Sequence, residues 1–207
     1  MRKIVLSLAL VFTIGSAFSQ SFMHGAGVTI FAASSPETKT TVGYGLTYSP
    51  RFNFLETEAL SVSVGVPLSA GISFSTSIYS TSYYDDNDDV SVGVVLNAPL
   101  IVNLNMGRGS TKENTQKFGY FVGAGAAYYH GDFIDSYDDT YSINAFGPAA
   151  NAGFRLGVGR KHRNIEIRFS YMKGINDNKR TRFDDFGNSI IVNEKPNAFG
   201  VACLFNF

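Results

Sequence analysis

The last eleven residues of the chain, Asn197 to Phe207, alternate between two kinds of side chain. Phe199, Val201, Cys203, Phe205 and Phe207 share one face; Ala198, Gly200, Ala202, Leu204 and Asn206 share the other. A period of two belongs to a β-strand whose faces meet different surroundings. The same period recurs along most of the chain. It sets Val42, Tyr44, Leu46 and Tyr48 against Gly43, Gly45, Thr47 and Ser49. It sets Ile165, Ile167, Phe169 and Tyr171 against Glu166, Arg168 and Ser170. From Val90 to Asn105, Val92, Val94, Leu96, Leu100, Val102 and Leu104 oppose Ser91, Gly93, Asn97, Asn103 and Asn105, with Val95, Pro99 and Ile101 mixed into the polar face.

Eight alternating segments follow from this pattern: roughly His24–Ala33, Thr40–Pro50, Leu60–Ser75, Val90–Asn105, Phe118–His130, Ser142–Gly159, Asn164–Gly174 and Lys195–Phe207. None has a convincing helical period. The expected fold is all-β, one up-and-down antiparallel sheet closed into an eight-stranded barrel. Pro67 and Pro99 fall inside strands. Proline removes a ladder donor and belongs at edges or bulges, and a closed barrel has no edges, so bulges are expected at both.

Alternation alone allows two environments. A soluble sandwich or lipocalin-like barrel turns its apolar face inward. A transmembrane barrel turns it outward into lipid. Three observations favour lipid. The second face is rich in Gly, Ala, Ser and Asn and poor in the Lys and Glu of a solvated surface. Small residues fit the cramped interior of eight strands. The clear charges at strand centres, Arg155, Glu166 and Arg168, all lie on that small-residue face. An Arg on the lipid face would cost about 2–4 kcal/mol at the midplane. Finally, aromatics gather towards strand ends, as in Tyr48 and Phe52, Tyr128 and Tyr129, and Phe205 and Phe207. Interfacial girdles have that distribution.

At the other end, Arg2 and Lys3 precede an apolar run from Ile4 to Ile14, and Ala17 and Ser19 supply small residues at −3 and −1. Residues 1–19 read as a cleaved secretory signal peptide, leaving 20–207 as one barrel domain. The apolar run is too short for a spanning helix, which needs roughly 20 residues. Cys203 is the only cysteine, which excludes an internal disulfide and a thiolate metal cluster.

Zero net charge conceals segregation. Asp85, Asp86, Asp88 and Asp89 crowd one connection, and Asp132, Asp135, Asp138 and Asp139 another. Arg108, Lys112 and Lys117, then Arg160, Lys161 and Arg163, make two connections basic. With both termini in the periplasm, the first, third, fifth and seventh connections face outside: Ser34–Lys39, Thr76–Asp89, Gly131–Tyr141 and Ile175–Glu194. Both strongly acidic connections then lie outside. Met106–Lys117 is long for a periplasmic turn.

The chain resembles the small outer-membrane β-barrel proteins of the eight-stranded OmpA or OmpX type. Tyr48-Ser49-Pro50-Arg51-Phe52-Asn53-Phe54, Leu96-Asn97-Ala98-Pro99-Leu100 and Phe121-Val122-Gly123-Ala124-Gly125 resemble the Bacteroidota branch of that class. The resemblance implies that the barrel-assembly machinery reads the terminal strand, with Phe199, Val201, Phe205 and Phe207 as the signal. It also implies outer-membrane lipid as surroundings and a monomer.

Few residues suggest chemistry. Thr41-Val42-Gly43-Tyr44-Gly45 spells a potassium-filter sequence, but a filter loop must be held between transmembrane helices, and the segment reads as a strand. Asp85, Asn87 and Asp89 start like a calcium loop, yet Val90 and Leu96 stand where Gly and Glu are required. The four carboxylates remain a candidate for weak divalent-cation binding. His130, Asp135 and Ser136 near the outer rim match no acylase or deacylase spacing, and His24 and His162 are isolated. No catalytic residues, metal centre, cofactor or nucleic-acid partner is expected. Arg155, Glu166 and Arg168 are expected to form an ion-pair cluster that plugs the lumen. The function expected is a structural or surface-interaction role with the acidic loops as contact region. The alternatives are a narrow pore for ions or small solutes, and a secreted soluble barrel that binds an apolar ligand.

Overall fold

A computed structural model describes residues 21–34, 40–76, 90–134, 140–159, 163–183 and 189–207. They form strands and no helix: β1 (Ser21–Ser34), β2 (Thr41–Glu56), β3 (Leu60–Gly65), β4 (Leu68–Thr76), β5 (Val90–Gly107), β6 (Phe118–Ile134), β7 (Thr140–Gly157), β8 (Asn164–Lys173), β9 (Asn178–Phe183), β10 (Ser189–Glu194) and β11 (Asn197–Asn206). β3 and β4 lie end to end between β2 and β5, so they make one stave. β11 pairs with β1 and closes an antiparallel ring of eight staves.

The registers fix the geometry. From Met23 the pairing runs to Arg51, Gly65, Ile101, Gly125, Ala149, Met172, Ala198 and back into β1 at Ala33, ten residues further along. With eight staves, that offset tilts the strands by about 40° and gives a radius of about 8 Å. Side chains alone can fill such an interior.

The apolar faces point outward. Leu46 is 71% exposed, Val92 59% and Val28 58%, while Thr29, Thr47, Asn103 and Asn151 face inward and are buried. This disposes of the soluble barrel with an apolar ligand cavity. The terminal strand behaves as its alternation predicts. Ala198, Gly200, Ala202, Leu204 and Asn206 are buried, and Phe199, Cys203, Phe205 and Phe207 face out. The Phe207 N–H donates to the His24 carbonyl at 3.1 Å, and the two rings lie 4.4 Å apart.

Several expectations need correction. β2 runs to Glu56, so Arg51 belongs to a strand and not to a connection. Tyr129 points inward at 1% exposure and is no girdle residue. The connection after β8 contains the β9–β10 hairpin, which was not expected. Neither Pro67 nor Pro99 makes a bulge. Gly65↔Ile101 and Ser69↔Asn97 share one register, which sets Pro67 opposite Pro99. Val66 still donates to the Pro50 carbonyl of β2 at 3.1 Å, and β5 pairs with β6 without interruption through Pro99↔Ala127. Two absent donors therefore meet on one rung, which removes a single pair of bonds; the β5–β6 ladder stays intact, while the pairing with β2 is split there into its β3 and β4 segments. The register shift in this stretch lies elsewhere, between Asn53 and Leu55 of β2.

Candidate functional site

The predicted charges meet inside the barrel. Arg155 of β7 stands opposite Glu166 of β8 in the register, and Arg168 follows two residues later on the same face. Glu166 is wholly buried. Its Oε2 accepts from Arg155 Nε at 2.6 Å and from Asn206 Nδ2 at 3.2 Å, and its Oε1 accepts from Arg168 Nη2 at 2.5 Å. The Phe121 ring lies under both guanidiniums, 4.4 Å from Arg155 Cζ and 5.6 Å from Arg168 Cζ. Its π-face favours a cation without adding a charge that would need a partner of its own.

A third guanidinium joins them. Arg51 Nη1 lies 4.0 Å from Glu166 Oε2. Sequence reasoning missed it because the second segment was ended at Pro50. The signal was present: Ser49, Arg51 and Asn53 continue the inward face past that proline. Asn105 Oδ1 accepts from Arg155 Nη2 at 3.0 Å and from Arg51 Nη1 at 3.5 Å, tying β5 to the cluster.

The long turn after β5 supplies the remaining acceptors. Its Gly109 carbonyl accepts from Arg51 Nη2 at 2.8 Å and from Arg155 Nη1 at 3.4 Å. The Ser110 carbonyl accepts from Asn53 Nδ2 at 2.9 Å. Arg108, Ser110, Thr111 and Asn114 are all buried. The length that did not suit a periplasmic turn is explained: the segment folds back into the barrel and closes its mouth. Glu56 lies there too, bonded by Ser21 and Asn53.

The half of the lumen away from the chain termini is mainly apolar. Phe31, Val95, Tyr129, Ile143, Met172 and Ala198 pack into one buried cluster with smaller neighbours. The lumen is thus closed twice, by ion pairs near the termini and by side-chain packing near the loops.

Other predicted residues stand apart from this site. Phe199, Phe205 and Phe207 face outward along β11, and Val201 is half-buried on the same face. His130 joins an outward group at the rim, where its Nδ1 lies 2.9 Å from Asn144 Oδ1 and Ser142 Oγ donates to Asp132 Oδ1 at 2.6 Å. His130 Nε2 lies 3.7 Å from the same Asp132 oxygen, so the acid stands between the serine and the histidine. Asp85, Asp86, Asp88, Asp89, Asp135 and Ser136 lie outside the described residues. Among the described residues, no group of three His, Cys, Asp or Glu could hold a metal.

No protein-family model matches the sequence, and no curated protein matches it. Among solved structures, the chain is similar to Ail, the attachment invasion locus protein of Yersinia pestis, at 10% identity over 92% of this chain and 99% of that one, with a TM-score of 0.49. It is similar to Neisserial surface protein A at 9% identity over 90% and 97%, with a TM-score of 0.48. It is also similar to the outer membrane protein OprG from Pseudomonas aeruginosa, at 12% identity over 91% and 95%, with a TM-score of 0.46.

Proposed function

We propose that this chain is a closed outer-membrane barrel that presents its connections at the cell surface and conducts nothing through its lumen. The observation that carries the reading is the double closure. Three guanidiniums, Glu166 and the inserted 108–117 turn fill one half, and Phe31, Tyr129, Ile143 and Met172 fill the other. The membrane part of the reading rests on the outward apolar faces, which in water would be exposed patches far larger than a soluble monomer carries. With the interior occupied, contact with a partner falls to the outer connections. The strongly acidic stretch holding Asp85, Asp86, Asp88 and Asp89 is the proposed contact region.

Planar-bilayer recording of the refolded protein tests this. The expected record is a quiet baseline at all voltages. A steady, ion-selective conductance that disappears in Glu166→Gln would replace this reading with the pore.

A further inference from the structure

A second feature of the lumen lies between its two closures. A cavity of about 40 Å³ is lined by Arg168, by the hydroxyl residues Thr29, Thr47, Ser69 and Ser170, by Asn97 and Asn151, and by mainly apolar neighbours. Arg168 is its only charged lining residue. It is 8% exposed, and its Nη2 is engaged by Glu166 and Ser49. Its Nε and Nη1 have no hydrogen-bond partner among the described residues. A buried guanidinium edge without an acceptor is costly.

The local charge count points the same way. The ion-paired cluster sets Arg51, Arg155 and Arg168 against one carboxylate within it, Glu166. Glu56, at the mouth, acts on Arg51. Even with both acids counted, the group keeps a positive excess, and Arg168 is the member that borders the cavity. The hydroxyls suit an anion as well. Thr47 Oγ1 and Ser69 Oγ bond each other at 2.8 Å, so one of the two protons is left to point elsewhere.

We propose that Arg168 and these hydroxyls bind one small inorganic anion of halide size. The charge count sets the class: with both acids included the excess is one positive charge, which a single monovalent anion such as a halide offsets. The cavity, about 40 Å³ for the centre of a water-sized sphere, has room for such an ion. The anion lies between the ion-pair cluster and the apolar packing, among residues of both. It supplies the charge that the three guanidiniums lack and is a structural ion of the lumen.

Bromide is the probe. Protein refolded in sodium bromide and crystallised should show one anomalous peak within about 3.5 Å of an Arg168 nitrogen. The same experiment on Arg168→Gln should show none. Should Arg168→Gln fail to fold, the Thr47→Val, Ser69→Ala double variant serves, with bromide occupancy falling at least twofold. Refolding yield, read by gel migration, should be several-fold higher in bromide or chloride than in gluconate at equal ionic strength. No peak in the wild type, a peak that persists in Arg168→Gln, an unchanged occupancy in the double variant, or equal yields in halide and gluconate would each overturn the proposal.

Discussion

At the scale of single residues, Glu166 is the hinge of the lumen's electrostatics. Among the described residues it is the one carboxylate that touches Arg51, Arg155 and Arg168 together. It is buried from water, so solvent does little to screen the guanidiniums from one another once its charge is gone. Glu166→Gln keeps the shape and removes the charge. It is expected to lower the unfolding free energy by about 3–5 kcal/mol, the usual cost of breaking a buried pair from one side. Arg155→Met in the Glu166→Gln background should recover part of that loss, because it removes one of the unmatched charges. The chain has no tryptophan, so the urea midpoint is best followed by the migration shift of the folded barrel on gels. A wild-type midpoint for Glu166→Gln would show that the carboxylate does not hold the cluster.

At the scale of elements, the inserted turn after β5 is the least expected feature and has its own test. Gly109 sits at φ +71°, in the left-handed region that favours glycine. A Cβ there would come within 2.9 Å of Arg155 Cδ and 3.0 Å of Asn164 Nδ2. Gly159, beyond the end of β7, has the same φ of +71° and no atom within 4 Å of a built Cβ. Gly159→Ala should therefore cost only the backbone term, about 1–2 kcal/mol. Gly109→Ala should cost that and more, because it also pushes on Arg155. Urea midpoints of the two variants isolate the clash, and equal losses would mean that the turn yields freely. The contrast also shows what the sequence could disclose about elements. Alternation is local, so the inward positions of Glu166, Arg168 and Asn103 were legible. The 108–117 turn was not. Gly, Arg, Ser, Thr and Lys compose a solvated turn just as well, and its role depends on Arg51 and Arg155, more than 40 residues away in either direction. Pro67 and Pro99 show the same limit. Each alone calls for a bulge, and only the register reveals that they share a rung.

At the scale of the whole molecule, closure is what turns separate patterns into a barrel with an apolar exterior. Each strand's alternation left both soluble and membrane readings open. The ring, with a ten-residue offset around it, shows which face is inside: Thr47, Asn103 and Leu204 are buried, and Leu46, Val92 and Phe205 face out. β11, ten residues long, climbs about 25 Å at the tilt the ring imposes, which matches the apolar band of an outer-membrane barrel. Cys203 lies near the middle of that strand, faces outward, and is flanked by Val28 of β1 and Ile167 of β8. If the outward faces meet lipid, this single thiol sits in the hydrocarbon layer. A small fluorophore attached to Cys203 in the unfolded chain reports its surroundings once the protein is folded into vesicles. Brominated acyl chains should quench it strongly, and aqueous iodide should leave it almost unchanged. Strong iodide quenching with weak lipid quenching would place water against β11 and refute the membrane orientation of the whole barrel.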